Sequence, residues 1–269
     1  MPTTLRMAGV VAVSAGLLLS SACSSSSDTI STASLTTAAS PGGSPTSTAV
    51  PVIDPGDGGE YHPTIDPADF VDTIDNPYLP LALGSRWVYE GETADGHERV
   101  VVAVTDQHKE VMGIPAVVVR DTVHAGGQVV EDTYDWFGQD RDGNVWYLGE
   151  DTTTFENGQV TSTDGSWEGG VDGALPGIAM LADSAVGDAY RQEFLAGEAE
   201  DMGEIRRVGQ DRSTPAGDYT DVVVTGEWTP IEPAIIEEKY YAPGVGNVAS
   251  VSVAGEPDRL DLVSFSPGT

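Results

Sequence analysis

The stretch YDWFGQDRDGNVWYLGED, residues 134–151, places aromatic and acidic side chains on either side of one Asp-Gly pair, the composition of a calcium loop, an aromatic binding surface or a hairpin. As an EF-type calcium loop it fails. Counting from Asp140, oxygen-bearing residues fall at Asp140, Asp142 and Asn144, but the glycine such a loop needs at its sixth position stands at the fourth, Gly143. As a hairpin it is self-consistent, because Asp-Gly between runs of Val, Trp and Tyr is a strong short-range turn signal. A two-residue turn at Asp142-Gly143 sets Tyr147 opposite Gly138 and Trp136 opposite Gly149, so that each bare glycine is covered by a ring. Val145, Tyr147, Trp136 and Tyr134 then share one face, expected to pack in the core. Trp146, Phe137 and Leu148 share the other, bordered by Gln139, Asp135 and Glu150. That second face suits a further core layer or the wall of a ligand groove, since apolar surfaces with a few convergent polar groups are where ligands bind. Phe137, Trp146, Leu148 and Gln139, with Trp167 from further along, are the candidate ligand-binding residues.

The same grammar extends outward from this hairpin. Asp95-Gly96, Gly126-Gly127 and Asn157-Gly158 each separate two runs rich in Val, Tyr, Trp or Thr, which predicts an antiparallel meander. The valine runs RVVVAV (99–104) and AVVVRDTV (116–123) are continuous rather than alternating, which predicts burial on both faces. Later runs, YRQEF, YTDVVVT, IIEEKYY, VASVSV and LDLVSF, bring the expected strands to about twelve, more than most open sheets hold without curling. The predicted fold is therefore all-β: a strongly curved antiparallel sheet, partial barrel or sandwich, built from hairpins. Helix is expected only as short pieces, at 67–72 and around 174–181. A weak internal echo, Gly127-Gln128-Val129 with Trp136 and Gly158-Gln159-Val160 with Trp167, has too few copies for a solenoid.

Three regions divide the chain. Residues 1–22 carry one basic residue, Arg6, an apolar run over 7–19 and a small-residue end, the pattern of a bacterial export signal. The run is shorter than the roughly 20 residues that a membrane-spanning helix needs. Cys23, the one cysteine, follows Ser20-Ser21-Ala22, which is similar to the lipobox of bacterial lipoproteins, although the usual leucine position holds Ser20. Lipidation of Cys23 is the expectation, simple cleavage the alternative; two acyl chains give stable anchorage. Residues 24–59 contain 9 Ser, 6 Thr, 4 Pro and 5 Gly and cannot bury enough apolar surface to fold. Such a coil has an end-to-end distance of about 30–36 Å. Residues 60–269 suffice for one β-rich domain that buries roughly 70 % of its unfolded surface.

The formal net charge of −31 repels nucleic acid and anionic headgroups, so neither is expected as a partner of the folded domain. The membrane is expected to be reached only through the N-terminal lipid. Acidic clusters at Asp164, Glu168 and Asp172, and at Glu198, Glu200, Asp201 and Glu204, have the ligand chemistry for calcium, but so acidic a chain forms clusters by chance. No cofactor is expected beyond that calcium possibility. The segment 168–189 is glycine-rich with Leu175, Ile178, Met180 and Leu181, which fits a lid over the sheet or a connection across a barrel end. His62, His97, His108 and His124 form no HExxH, and there is no G-x-S-x-G, P-loop or G-x-G-x-x-G. For glycoside hydrolysis the candidate carboxylates are Glu168 and Glu193, because only spatial separation matters there.

NPYLPLALGSRWVYEG from Asn76, DWFGQDRDGNVWYLGEDT from Asp135, GSWEGGVDGALPGI from Gly165, GDAYRQEF from Gly187 and KYYAPGVGNV from Lys239 together resemble a family of uncharacterised bacterial exported proteins and lipoproteins. Leu83-Gly84 stands where a Pro-Gly turn is common in that family. The chain is similar, more loosely, to exported lipoproteins whose curved antiparallel sheet shelters an apolar ligand. The resemblance implies no established reaction. The reading is a membrane-tethered extracytoplasmic lipoprotein that binds a small or lipidic ligand or an envelope partner without catalysis. A carboxylate-dependent hydrolase, with or without calcium, is the competing class, and a scaffold without ligand the third.

Overall fold

The turn at Asp142-Gly143 is one residue longer than the sequence predicts. In the computed structural model, which describes residues 61–93 and 96–269, Gly143 N–H donates to the Asp140 carbonyl at 3.0 Å and Asp140 N–H to the Asn144 carbonyl at 3.0 Å. Arg141 and Asp142 form the turn, and Gly143 closes it at φ +95°, the left-handed position of a three-residue hairpin loop. This moves the first pairs by one. Phe137 lies opposite Tyr147 and Gly138 opposite Trp146, not Tyr147 opposite Gly138. A bulge at Leu148 then restores the expected register, with Trp136 opposite Gly149. Phe137 consequently joins Val145 and Tyr147 in one apolar cluster, while Trp136, Trp146, Leu148 and the half-buried Tyr134 belong to another. The signal, Cys23 and the linker lie outside the described residues, as do Ala94 and Asp95 of the first predicted turn.

Sixteen strands are found among the described residues. The first six are β1 (Phe70–Val71), β2 (Arg86–Thr93), β3 (Gly96–Val111), β4 (Ile114–Ala125), β5 (Gln128–Asp140) and β6 (Val145–Glu156). Short pieces follow: β7 (Gln159–Ser162), β8 (Trp167–Glu168), β9 (Leu175–Met180), β10 (Ala189–Arg191) and β11 (Glu193–Phe194). The last five are β12 (Met202–Thr214), β13 (Gly217–Trp228), β14 (Ile236–Ala242), β15 (Gly246–Ala254) and β16 (Arg259–Ser266). The two expected helices are absent as such. Pro67–Asp69 is a single 3-10 turn capped by Asp66, and 175–180 is strand β9, because its backbone completes the sheet beside β6.

All pairings are antiparallel and run β10-β12-β13-β14-β15-β16-β2-β3-β4-β5-β6-β9-β11. The two ends of that order are consecutive in the chain. Ala189–Arg191 pairs with β12 and Glu193–Phe194 pairs with β9, so one bent segment, hinged at Gln192, closes the sheet into a near-complete barrel. Closure requires Gly177, where any Cβ would overlap the backbone of Arg191 and Gln192.

Register identifies the concave face. Trp87, Val102, Asp121, Thr133 and Thr152 are successive partners across β2 to β6, and Val104, Val119, Asp135 and Glu150 form the next row. On the far side, Ser250, Lys239, Thr225 and Ile205 are partners across β15 to β12. The rows join through Leu260 opposite Ser250 and Leu262 opposite Tyr89. Asp135 on β5 feels the charge of Lys239 on β14, so these rows face one another across the barrel. The valine run of β3 alternates after all: Val100, Val102 and Val104 are buried inward, whereas Val101 and Ala103 are only half-buried. Outside, Ile65 and Phe70 pack on the β4–β6 wall, whereas Ile74, Leu79 and Leu81 join the cluster of Trp87, Val102 and Phe137. Phe70 meets Trp146 edge-on at 6.3 Å, and the Gln139 amide oxygen accepts from the Asp75 and Asn76 N–H groups at 2.9 Å each.

Candidate functional site

The barrel interior holds more charge than a hydrophobic core ordinarily tolerates. Glu98, Asp121, Asp135, Glu150, Glu193, Asp201 and Glu227 are all at most 4 % exposed, and Lys239 is fully buried. Lys239 Nζ lies 2.7 Å from Glu227 Oε2 and 3.7 Å from Glu237 Oε2. Glu227 Oε1 also accepts from Thr225 at 2.8 Å and Tyr241 at 3.4 Å, so this wall of the cluster supplies its own donors. Asp135 Oδ1 accepts from the Tyr147 hydroxyl at 2.8 Å.

Burial disfavours the ionised forms of these acids. It lifts Asp135 to about 7 against the hydrogen bond from Tyr147 and the attraction of Lys239, and Glu237 also to about 7. Glu193 is raised well above the usual range, first by burial and then by Asp201 and Glu150; the Trp167 indole works the other way. Burial likewise raises Asp201, opposed by Lys239 and Thr229. At strict hydrogen-bonding geometry neither oxygen of Glu193, nor either of Asp201, has a donor, although the Trp167 indole and the Thr229 hydroxyl approach them closely enough to favour the ionised forms.

Glu150 carries this cluster to the surface. A cleft of about 390 Å³ opens between β5, β6 and β8 and the turns at 169–174 and 195–199, with Trp136, Trp167 and Glu150 in its wall. Asp151, Glu168, Asp172 and Glu198 surround it, with Ser166, Val171, Ala174 and Leu195 completing the lining. Local hydrogen bonds fix both turns. Gly169 N–H donates to the Leu148 carbonyl and Gly170 N–H to the Ala174 carbonyl, each at 2.9 Å, and Gly197 N–H donates to Glu200 Oε1 at 2.7 Å. Trp167 meets the Tyr147 ring edge-on at 5.3 Å. Its indole N–H has no acceptor at hydrogen-bonding geometry. On the rim, Lys109 Nζ lies 4.1 Å from the centre of the Trp136 ring and 2.7 Å from Glu168 Oε2.

Of the five ligand-binding residues expected from sequence, the cleft contains Trp167 alone. Phe137 and Leu148 are fully buried and lie in different apolar clusters, because the bulge separates them. Trp146 packs under Phe70 and donates to Asp140 Oδ2 at 2.8 Å, and Gln139 fastens residues 75–76. Sequence reasoning missed Trp136, Glu150 and Asp151, although Trp136 and Trp167 are the matching positions of the internal echo. Two acidic clusters that looked separate converge here, Glu168 and Asp172 from one and Glu198 from the other. Glu168 lines the cleft, whereas Glu193 lies behind it beside Glu150 and Trp167. No three His, Cys, Asp or Glu side chains are placed to hold a metal ion among the described residues. The 168–189 segment is not a lid, since its centre is β9 within the sheet.

No family model and no curated protein matches the chain. Two solved structures do. One is a candidate exported protein with a YmcC-like fold from Bacteroides fragilis, 18% identical, covering 71% of this chain and 99% of that one at a TM-score of 0.43. The other is a candidate lipoprotein from Parabacteroides distasonis, 12% identical, covering 73% of this chain and 100% of that one at a TM-score of 0.41.

Proposed function

We propose that the chain is an exported envelope protein, anchored through Cys23, whose barrel binds a small molecule without chemical conversion in the cleft between Trp136 and Trp167. The observation that carries this reading is the cleft itself: about 390 Å³, two indoles, and polar groups on every side. That volume falls within the roughly 300–1,000 Å³ of small-molecule sites. The mixture of indoles and carboxylates supports a polar guest over a lipid, because an acyl chain would leave several carboxylates desolvated and unpaired. The export signal and the cysteine after Ala22 support the envelope location, and Cys23→Ser is expected to release the protein from the membrane fraction.

Native mass spectrometry of protein from its own host tests the binding reading. The expected result is a retained small molecule that Val171→Trp abolishes, since Val171 is 48% exposed and its enlargement fills the cleft without disturbing the core. A protein that carries no guest, or a Val171→Trp variant that carries the same guest, overturns it.

A further inference from the structure

We propose that the guest is an organic amine, whose ammonium group enters beside Glu150 and takes the place of a proton in the buried carboxyl cluster of Glu193 and Asp201. This deepens the cleft reading and rests on it.

Four observations converge on that chemistry. The cleft is lined by Glu150, Asp151, Glu168, Asp172 and Glu198, and no lysine or arginine lines it. Its walls are two tryptophans, the best side-chain partners for a cation over a ring face. The chain already displays the arrangement on the rim, where the Lys109 ammonium sits over Trp136 and against Glu168. Behind the wall, Glu193 is 1% exposed with both oxygens lacking a donor at strict hydrogen-bonding geometry.

A buried carboxyl without donors either keeps its proton or waits for a cation that brings donors of its own. Lys239 serves the acids on β13 and β14; on the cleft side Lys109 pairs with Glu168 at the rim, and the groups that act most on Glu193 include no cation. A bare metal ion does not fit, because no three ligating side chains converge. An alkylammonium group does, since it carries up to three donors and needs no fixed coordination shell.

The proton balance gives the proposal its signature. When an ammonium pairs with a carboxyl that was protonated, that proton leaves to solvent, so binding releases protons and strengthens as pH rises towards the titration of the cluster. The groups facing Glu193 are Asp135 from β5, Glu150 from β6, Trp167 from β8 and Asp201 from the segment before β12. Lys239 and Glu227 face Asp201 in turn. Burial raises Asp135, Glu193 and Asp201 alike, and Lys239 is the charge that opposes it at Asp135 and Asp201.

The test is calorimetric titration of the detergent-solubilised full protein with cadaverine, with 1,5-pentanediol as its neutral isostere, at pH 6 and pH 8 and in two buffers of different ionisation enthalpy. Expected are saturable cadaverine binding at least several-fold tighter at pH 8, a buffer-dependent heat reporting proton release, and no binding of the diol. Glu193→Gln, which keeps the shape and removes the titration, is expected to flatten the pH dependence, and Val171→Trp to abolish binding. Equal binding of diamine and diol, or cadaverine binding without proton release, overturns the amine proposal while leaving the cleft reading intact. So does a host-derived guest, lost in Val171→Trp, in a protein that ignores cadaverine. The absence of any guest and of any probe binding overturns both.

Discussion

Asp135→Asn offers the sharpest test of the charged interior, because its effect must change with pH in a direction that packing alone cannot mimic. Asp135 is 2% exposed, and its carboxyl titrates at about 7 instead of the usual 3.8. A gap of about three in pKa corresponds to on the order of 4 kcal/mol between the protonation states. The unfolded chain releases this proton near pH 4, whereas the folded chain keeps it to about pH 7. Across that window the folded state binds more protons, so the contribution of Asp135 to stability declines as pH rises. The penalty is absent below about pH 4 and complete above pH 7. Asparagine retains an oxygen to accept from Tyr147 but never ionises. The variant should therefore match the parent at pH 4 and exceed it at pH 8 by up to about 4 kcal/mol, or roughly 8–16 °C in Tm for a domain of this size. Urea unfolding followed by tryptophan fluorescence at pH 4, 6 and 8 measures it. A variant that differs from the parent by a constant amount at all three values, or is weaker at pH 8, refutes the reasoning.

Lys239→Met should destabilise by about 3–5 kcal/mol at pH 8, since it strands Glu227 and Glu237 without their cation. The deficit should shrink at pH 5, where Glu237, titrating at about 7, is protonated; a loss under about 1 kcal/mol at pH 8 on denaturant unfolding contradicts the pairing. Gly177→Ala should cost about 3 kcal/mol or more by overpacking and raise hydrogen exchange in β9 to β11, because the new Cβ meets the backbone that closes the barrel; unchanged exchange there speaks against closure through Gln192. Trp146→Ala should lose about 3–5 kcal/mol while leaving cleft binding intact in the folded fraction, as its ring lies in the core. Loss of binding with stability preserved would return Trp146 to a ligand groove.

The hairpin grammar was readable because glycine and asparagine tolerate the left-handed backbone that tight turns demand, and few other residues do. Asn157 at φ +52° and Gly126 at +59° mark their turns as the dipeptides announce. Register was readable only until a turn could be built in two ways. Asp142-Gly143 serves a two-residue or a three-residue loop equally, and that one-residue difference sent Phe137 to the opposite face. Barrel closure was illegible for a related reason. Gln192 bends a segment too short to show any period, and only the third dimension brings residues 189 and 194 to opposite ends of one sheet. The cleft escaped notice because its residues look like strand and turn residues in sequence. Glu150 reads as a polar border of the Trp146 face, and only its pairing with Asp135 in the folded sheet shows that it is buried inside.

The placement of the charges separates structure from function within one interior. If the acids served stability alone, cations would be expected wherever acids are buried, since an uncompensated buried carboxylate costs several kcal/mol. Lys239 meets that need on β13 and β14, where Glu227 also has Thr225 and Tyr241. Glu193 has no donor at strict hydrogen-bonding geometry, and it lies behind the cleft wall, within reach of Glu150 and Trp167 that line it. Its burial therefore lowers the stability of the empty barrel as pH rises, in the same direction that ionisation makes the site attractive to a cation. Affinity and instability grow together, and a bound cation stabilises the fold by mass action where the empty fold is weakest. Thermal shift by a bound cation should accordingly be larger at pH 8 than at pH 6, a trend that a purely structural cluster of acids does not produce.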